Sequence, residues 1–164
     1  MDQDSFRSFY DKTMPVLRAY TLRSCGSIEM ADDILQEAFL RFLRSAPATL
    51  TDSQMRSYLY RTVETLIVDR WHRTRREQTA VDEIAPEHPA APAPDMNTDM
   101  ERAFSRLNAK QRLLLWLAYV EGFDHKEIAA AANIAEKSVR VLLFRARKKL
   151  QAILKDIGFS PENQ

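Results

Sequence analysis

The sequence predicts an all-α protein of two small helical domains joined by a proline-rich linker. Three observations predict it. Apolar residues recur at helical spacing from about residue 4 to 77, and again from 99 to 156. No segment sustains the period-2 alternation of β-branched residues that marks a strand. Four of the seven prolines (Pro86, Pro89, Pro92, Pro94) fall within residues 80–98, and proline at this density cannot continue a helix. The expected units are therefore residues 1–79, an acidic linker at 80–98, and residues 99–164.

Residues 4–24 read as one helix or a helix pair. Phe6, Phe9, Tyr10, Met14, Leu17 and Tyr20 recur at helical spacing, and Pro15 is a kink or boundary. Gly26 breaks the chain. Ser27 is an N-cap, and Glu29 suits the positive end of the next helix dipole. That helix runs to about Arg44 on an apolar stripe of Ala31, Ile34, Leu35, Ala38, Phe39, Phe42 and Leu43. Its polar face carries Asp32, Asp33, Gln36, Glu37 and Arg41.

Pro47 ends this unit. Asp52 or Ser53 can cap a third helix reaching about Glu77, with Met55, Leu59, Val63, Leu66, Ile67 and Trp71 as its apolar set. Arg56, Arg61, Asp69, Arg70, Arg73, Arg75 and Arg76 make one end strongly cationic. Tyr58, Tyr60 and Trp71 lie among these charges. Phosphates take cations and bases stack on aromatic faces, so the interleaving suits nucleic acid. A core position for Trp71 fits the same spacing.

The second unit opens with Met100, Ala103, Phe104 and Leu107 on one helix. Asn108 and Gln111 form a capping box for a leucine-rich helix that ends near Gly122. Asp124 and Glu127 form another, for a short helix with Ile128, Ala129 and Ala132 inward. Asn133 is a turn residue that tolerates a left-handed backbone. A long helix then runs from Glu136 to about Asp156, with Val139, Leu143, Ala146, Leu150 and Ile153 inward. A short helix, a tight turn and a cationic second helix make a helix-turn-helix, whose second helix can enter the major groove.

Charge sharpens this. The chain nets only +1, yet residues 137–155 hold seven cations and no anion, and residues 56–79 net +3. Residues 80–104, between them, net −5. Clustered cations are the electrostatic footprint of a polyanion partner. Other classes are excluded or left with little. Cys25 is the single cysteine, so no disulfide framework or multi-cysteine metal site exists, and a reducing compartment is expected. The acidic N-terminus lacks the basic-then-apolar order of a signal peptide, and no run approaches a membrane span. With three glycines there is no phosphate-binding glycine loop. His72, His88 and His125 have no metal-ligand spacing, and the carboxylates fall on solvated faces. Catalysis, a cofactor, a metal and a small-molecule substrate are therefore not expected. Cys25 beside Gly26 is either a reactive thiol or a loop cysteine without a role.

Three blocks in order resemble the sigma-70 superfamily of bacterial RNA polymerase sigma factors, in its short extracytoplasmic-function form. Residues 31–42, ADDILQEAFLRF, are similar to regions 2.1–2.2. Tyr58-Leu59-Tyr60-Arg61 through Val68-Asp69-Arg70-Trp71-His72-Arg73 are similar to regions 2.3–2.4. Leu107, the stretch Gly122–Ala129, and Ser138-Val139-Arg140 through Leu150 are similar to region 4.

The resemblance implies roles. Asp33, Gln36, Glu37 and Arg41 would bind the polymerase core on its β and β′ subunits. Arg61, Thr65, Asp69, Arg70, Arg73 and Arg76 would meet the −10 element as single strand. Lys137, Ser138, Arg140, Val141, Arg145 and Lys148 would meet the −35 duplex, with Arg140 and Arg145 as the leading readers. Promoter DNA, polymerase core and an anti-sigma factor are the implied partners, in the cytoplasm, without membrane insertion. The chain departs from the family at four points. Thr65 stands where asparagine is usual, Val141 and Leu142 replace small polar and basic residues, and Ala135 replaces a hydroxyl cap. A helix-turn-helix regulator that does not bind the core is the alternative, as is a sigma-like decoy. The regulator leaves the 31–42 block and the cationic third helix without a use.

Overall fold

The structure is a computed structural model and describes residues 1–78 and 98–159. The expected linker lies outside the described residues, except for Thr98. Seven helices and no strand are found among the described residues. They are α1 (Gln3–Cys25), α2 (Ile28–Ser45), α3 (Asp52–Gln78), α4 (Asp99–Ser105), α5 (Ala109–Tyr119), α6 (His125–Ala132) and α7 (Glu136–Asp156). Helices α1–α3 form one bundle and α4–α7 another. The bundles pack together, chiefly α3 against α6, with α1 touching α5.

In the first bundle, α1 runs unbroken through Pro15. Proline removes one helical hydrogen bond, whose acceptor is the carbonyl of Asp11. Both residues are exposed, so water can serve that carbonyl. Gly26 ends α1 with φ +71°, its N–H donating to the Leu22 carbonyl. Ser27 caps α2 through Met30 N–H at 3.3 Å, as expected. Phe9 and Phe42 stack at 5.7 Å, and Phe42 meets Tyr58 edge-on at 5.8 Å, tying α1, α2 and α3 together.

Three expectations need correction here. Leu43 is 59% exposed, because the α2 stripe turns away from the core after Phe42. The α3 cap is Thr51, whose hydroxyl accepts from Gln54 N–H at 3.3 Å while the Gln54 side chain accepts from Thr51 N–H at 2.9 Å. Tyr60 is fully buried, and Tyr58 packs on Phe42, so neither is a stacking platform for bases.

In the second bundle the Asn108–Gln111 and Asp124–Glu127 capping boxes are both present. Thr98 with Glu101 adds a third, so the last residue assigned to the linker caps α4. Helix α5 stops at Tyr119, and Gly122 (φ +69°) lets Phe123 N–H reach back to the Leu117 carbonyl. Asn133 adopts the left-handed turn, with φ +55°. On α6 Ile128 and Ala132 are buried as expected, and Ala131 takes the inward place assigned to Ala129, which is half-buried. Helix α7 buries Val139, Leu143, Ala146 and Ile153, and Ala135 gives it no side-chain cap.

Candidate nucleic-acid interface

Helix α7 follows α6 through the Asn133 turn and anchors its inner face in the second bundle. Residues about half a turn round the helix from Val139 and Leu143 must then face out. Lys137, Arg140, Val141, Arg145 and Lys148 are exposed, and Ser138 is half-buried at the start. Leu142 is half-buried against the core, so of the two departures on this helix only Val141 faces solvent. Phe144, not among the expected readers, is exposed beside Val141. Lys148 Nζ lies 5.5 Å from its ring centroid. The outer face is thus a cationic strip with an apolar centre.

On α3, Arg61, Thr65, Asp69, Arg73 and Arg76 are exposed and fall on one side at helical spacing. Arg70 is turned away. Its guanidinium donates to Asp33 of α2 at 2.8 Å, joining a −10 candidate to a core-binding candidate. Trp71 is half-buried, with the Arg75 guanidinium 5.1 Å from its ring centroid. On α2, Asp33, Gln36 and Arg41 are exposed. Glu37 pairs with Arg41 at 2.9 Å, and Leu40 stands exposed among them.

The second bundle covers part of the α3 face. Arg61, Thr65 and Asp69 line a cleft of about 400 Å³ whose far wall is Ala109, Lys110, Leu113 and Ala131–Asn133. Arg61 donates to the Asn133 side chain at 2.9 Å. Above this cleft, Glu121 accepts from Arg56 and from the Tyr60 hydroxyl, both at 2.6 Å, and Trp116 donates to Tyr60 at 3.0 Å. Arg23 and Glu101 pair at 2.8 Å on the other side. Deeper in, the Tyr20 hydroxyl donates to Glu64, near the buried Arg112. Burial pushes Glu64 above the usual carboxylate range, opposed by Tyr20, Arg112 and Lys110.

Cys25 supports the reading without a reactive role. Its thiol donates to the Ser27 carbonyl, and burial raises its pKa, which lowers the thiolate fraction. Among the described residues no His/Cys/Asp/Glu group could hold a metal, and no helix is long and apolar enough to cross a membrane.

Comparison with known families decides what these faces belong to. Residues 9–77 match the model for sigma-70 region 2, and residues 98–150 match the model for sigma-70 region 4. The chain belongs to the sigma-70 family. Similar curated proteins put this sigma-70 chain in the extracytoplasmic-function type. It is 28% identical over 155 residues to the ECF RNA polymerase sigma factor EcfG of Rhodopseudomonas palustris, covering 92% of this chain and 86% of that protein. It is 28% identical over 160 residues to SigL of Mycobacterium tuberculosis, covering 93% and 90%. Two solved structures share the fold. One is the sigma factor RpoE of Bartonella quintana with the anti-sigma factor NepR (TM-score 0.71, 22% identity, 92% of this chain and 97% of that one). The other is CnrH with the cytosolic domain of CnrY (TM-score 0.66, 20% identity, 94% and 90%).

Proposed function

We infer that this sigma-70 chain directs RNA polymerase core to promoters and selects start sites through a −35 and a −10 element. The observation that carries the reading is the region 2 match followed by the region 4 match along one chain. Each matched region presents an exposed, charged helix face. The family is not catalytic, and a stand-alone helix-turn-helix regulator would leave the region 2 match without an account.

The division of labour is our proposal. Residues 1–79 bind core and the −10 strand, residues 99–164 bind the −35 duplex, and residues 80–98 join them. Asp33, Gln36, Glu37 and Arg41 form the core contact, with Leu40 as an apolar anchor among charges, the pattern of an interface centre. Arg61, Thr65, Asp69, Arg73 and Arg76 follow the separated strand, cations on phosphate and Thr65 toward a base. Arg70 supports this face by holding Asp33 rather than DNA. Arg140 and Arg145 read base edges, while Lys137, Ser138 and Lys148 hold backbone. For strand and Arg61 to meet, the cleft between α3 and α6 must open. The solved relatives RpoE and CnrH are bound to NepR and CnrY. By that likeness an anti-sigma factor is proposed for this chain too, and the cytoplasm as its location.

The test is binding to sigma-free bacterial core, followed by fluorescence anisotropy of the labelled chain. The expected result is a one-to-one complex that Gln36→Ala combined with Glu37→Ala weakens by at least about tenfold. Absence of any complex would overturn the reading.

A further inference from the structure

We propose that the turn between α6 and α7 occupies, through Asn133, the place on α3 where the −10 strand meets Arg61, so that the free chain excludes the strand until its two bundles part. This deepens the −10 reading of α3 and rests on it.

The first support is the partner that Arg61 already has. Its guanidinium donates to the Asn133 side-chain oxygen at 2.9 Å, across 72 residues of chain. That oxygen is an acceptor presented to a cation, as a phosphate or base-edge oxygen of the strand would be. Asn133 sits at the left-handed end of α6, and its backbone N–H returns to the Ala129 carbonyl. The turn therefore uses the backbone of Asn133, and the side chain is left for Arg61.

The second is the wall behind Asn133. Thr65 and Asp69, the next groups along this face, share the cleft with Lys110 and Leu113 of α5 and Ala132 of α6. Lys110 donates to the Ala132 carbonyl at 2.9 Å, which ties the wall together. A bound strand needs the cations of α3 along its backbone. At Arg61 the wall stands one hydrogen bond away. Arg73 and Arg76, further along α3, lie outside the cleft. The closure therefore blocks one end of the face and leaves the other open.

The third is how the closure is held. Glu121, with its side chain 7% exposed, accepts from Arg56 and from Tyr60 of α3, both at 2.6 Å. The Arg56 guanidinium also lies 5.0 Å from the Phe123 ring centroid, and Tyr60 meets that ring edge-on at 6.4 Å. The segment between α5 and α6 thus grips α3 at Arg56 and Tyr60, and the α6–α7 turn is held against the neighbouring Arg61. Polar contacts of this kind between domains belong to surfaces that part and re-form.

The experiment is fluorescence anisotropy of a labelled single strand of about 12 nucleotides, selected from a randomised pool by holoenzyme. It is titrated with the free chain and with the chain on bacterial core. The free wild-type chain should bind the strand at least about tenfold more weakly than holoenzyme. Asn133→Gly keeps the left-handed turn and removes the acceptor, and should raise the free chain's affinity about threefold. Glu121→Ala releases the grip on α3 and should raise it about tenfold. Holoenzymes built on the two variants should bind the strand as wild type does, because there the bundles are already apart. Arg61→Ala added to either variant should cancel its gain. Asn133 is exposed, so Asn133→Gly keeps the wild-type melting curve, which circular dichroism checks, and it carries the test if Glu121→Ala is unstable.

Four results would overturn the proposal. They are a free wild-type chain that binds the strand as tightly as holoenzyme, an Asn133→Gly chain without a gain, a gain that survives Arg61→Ala, or a gain equally large in holoenzyme. A holoenzyme whose strand affinity does not respond to Arg61→Ala removes the −10 reading itself, and the proposal with it.

Discussion

At the residue scale the most constrained group is Arg112. It is 2% exposed, donates to the Leu107 carbonyl, and faces the Tyr20–Glu64 pair across the junction of the two bundles. A buried cation is tolerable only with such partners, and removing it strands the carboxylate. Arg112→Ala should therefore cost about 3 kcal/mol of unfolding free energy by urea titration. Glu64 gives a pH signature. Burial raises its folded-state pKa above the usual value of 4.5, so the folded form holds a proton that the unfolded form has lost. Its stabilising share is present below about pH 4.5 and is lost as pH rises through the raised value. The difference in unfolding free energy between wild type and Glu64→Gln should change with pH in that window and be flat above it. A difference that stays constant from pH 4 upward would contradict the assignment. None of this network was legible in the sequence. Tyr20, Glu64 and Arg112 lie far apart along the chain, and only the packing of α1, α3 and α5 brings them together.

At the element scale much was legible, for a physical reason. Capping boxes, the Gly26 stop and the Asn133 turn are local chemistry, satisfied by residues three or four apart, so spacing alone reveals them. The α3 start was misplaced because Thr51, Asp52 and Ser53 are all competent caps, and only the Gln54 side chain chooses among them. Thr51→Ala should lower stability by about 1 kcal/mol, with Ser53→Ala nearly neutral. Equal losses at both sites would point to a shared cap. Tyr60 was misread because a tyrosine among arginines has the same local pattern whether it stacks on a base or buries beneath Glu121. The cationic face of α7 was legible from charge alone, but the outward place of Phe144 was not. For α7, Arg140→Ala and Arg145→Ala should each reduce affinity for the preferred −35 duplex by about 1–3 kcal/mol while leaving core binding intact. Loss of core binding would reassign them.

At the scale of the whole molecule, the two-domain, all-α organisation followed from periodicity and proline placement. The way the bundles close on one another did not, because it depends on contacts such as Arg56–Glu121 and Arg61–Asn133 that span more than sixty residues. That closure sets a further expectation. Glu121 is almost buried and serves both Arg56 and Tyr60, so Glu121→Ala leaves the Tyr60 hydroxyl without its acceptor and Arg56 with only its Asp52 pair on its own helix, cutting both contacts across the junction. The isolated variant should show a larger radius of gyration by small-angle X-ray scattering, with helix content unchanged. An unchanged radius would place the closure elsewhere in the interface.

The central claim is that this chain turns core polymerase into a promoter-specific enzyme. The direct measurement is transcription in vitro with the purified chain, sigma-free bacterial core and genomic fragments from the source organism, with start sites mapped by sequencing. The account predicts discrete starts sharing one −35 and −10 pair, lost with Arg140→Ala plus Arg145→Ala. Core binding without any discrete start would contradict it and leave a sigma-like decoy in its place.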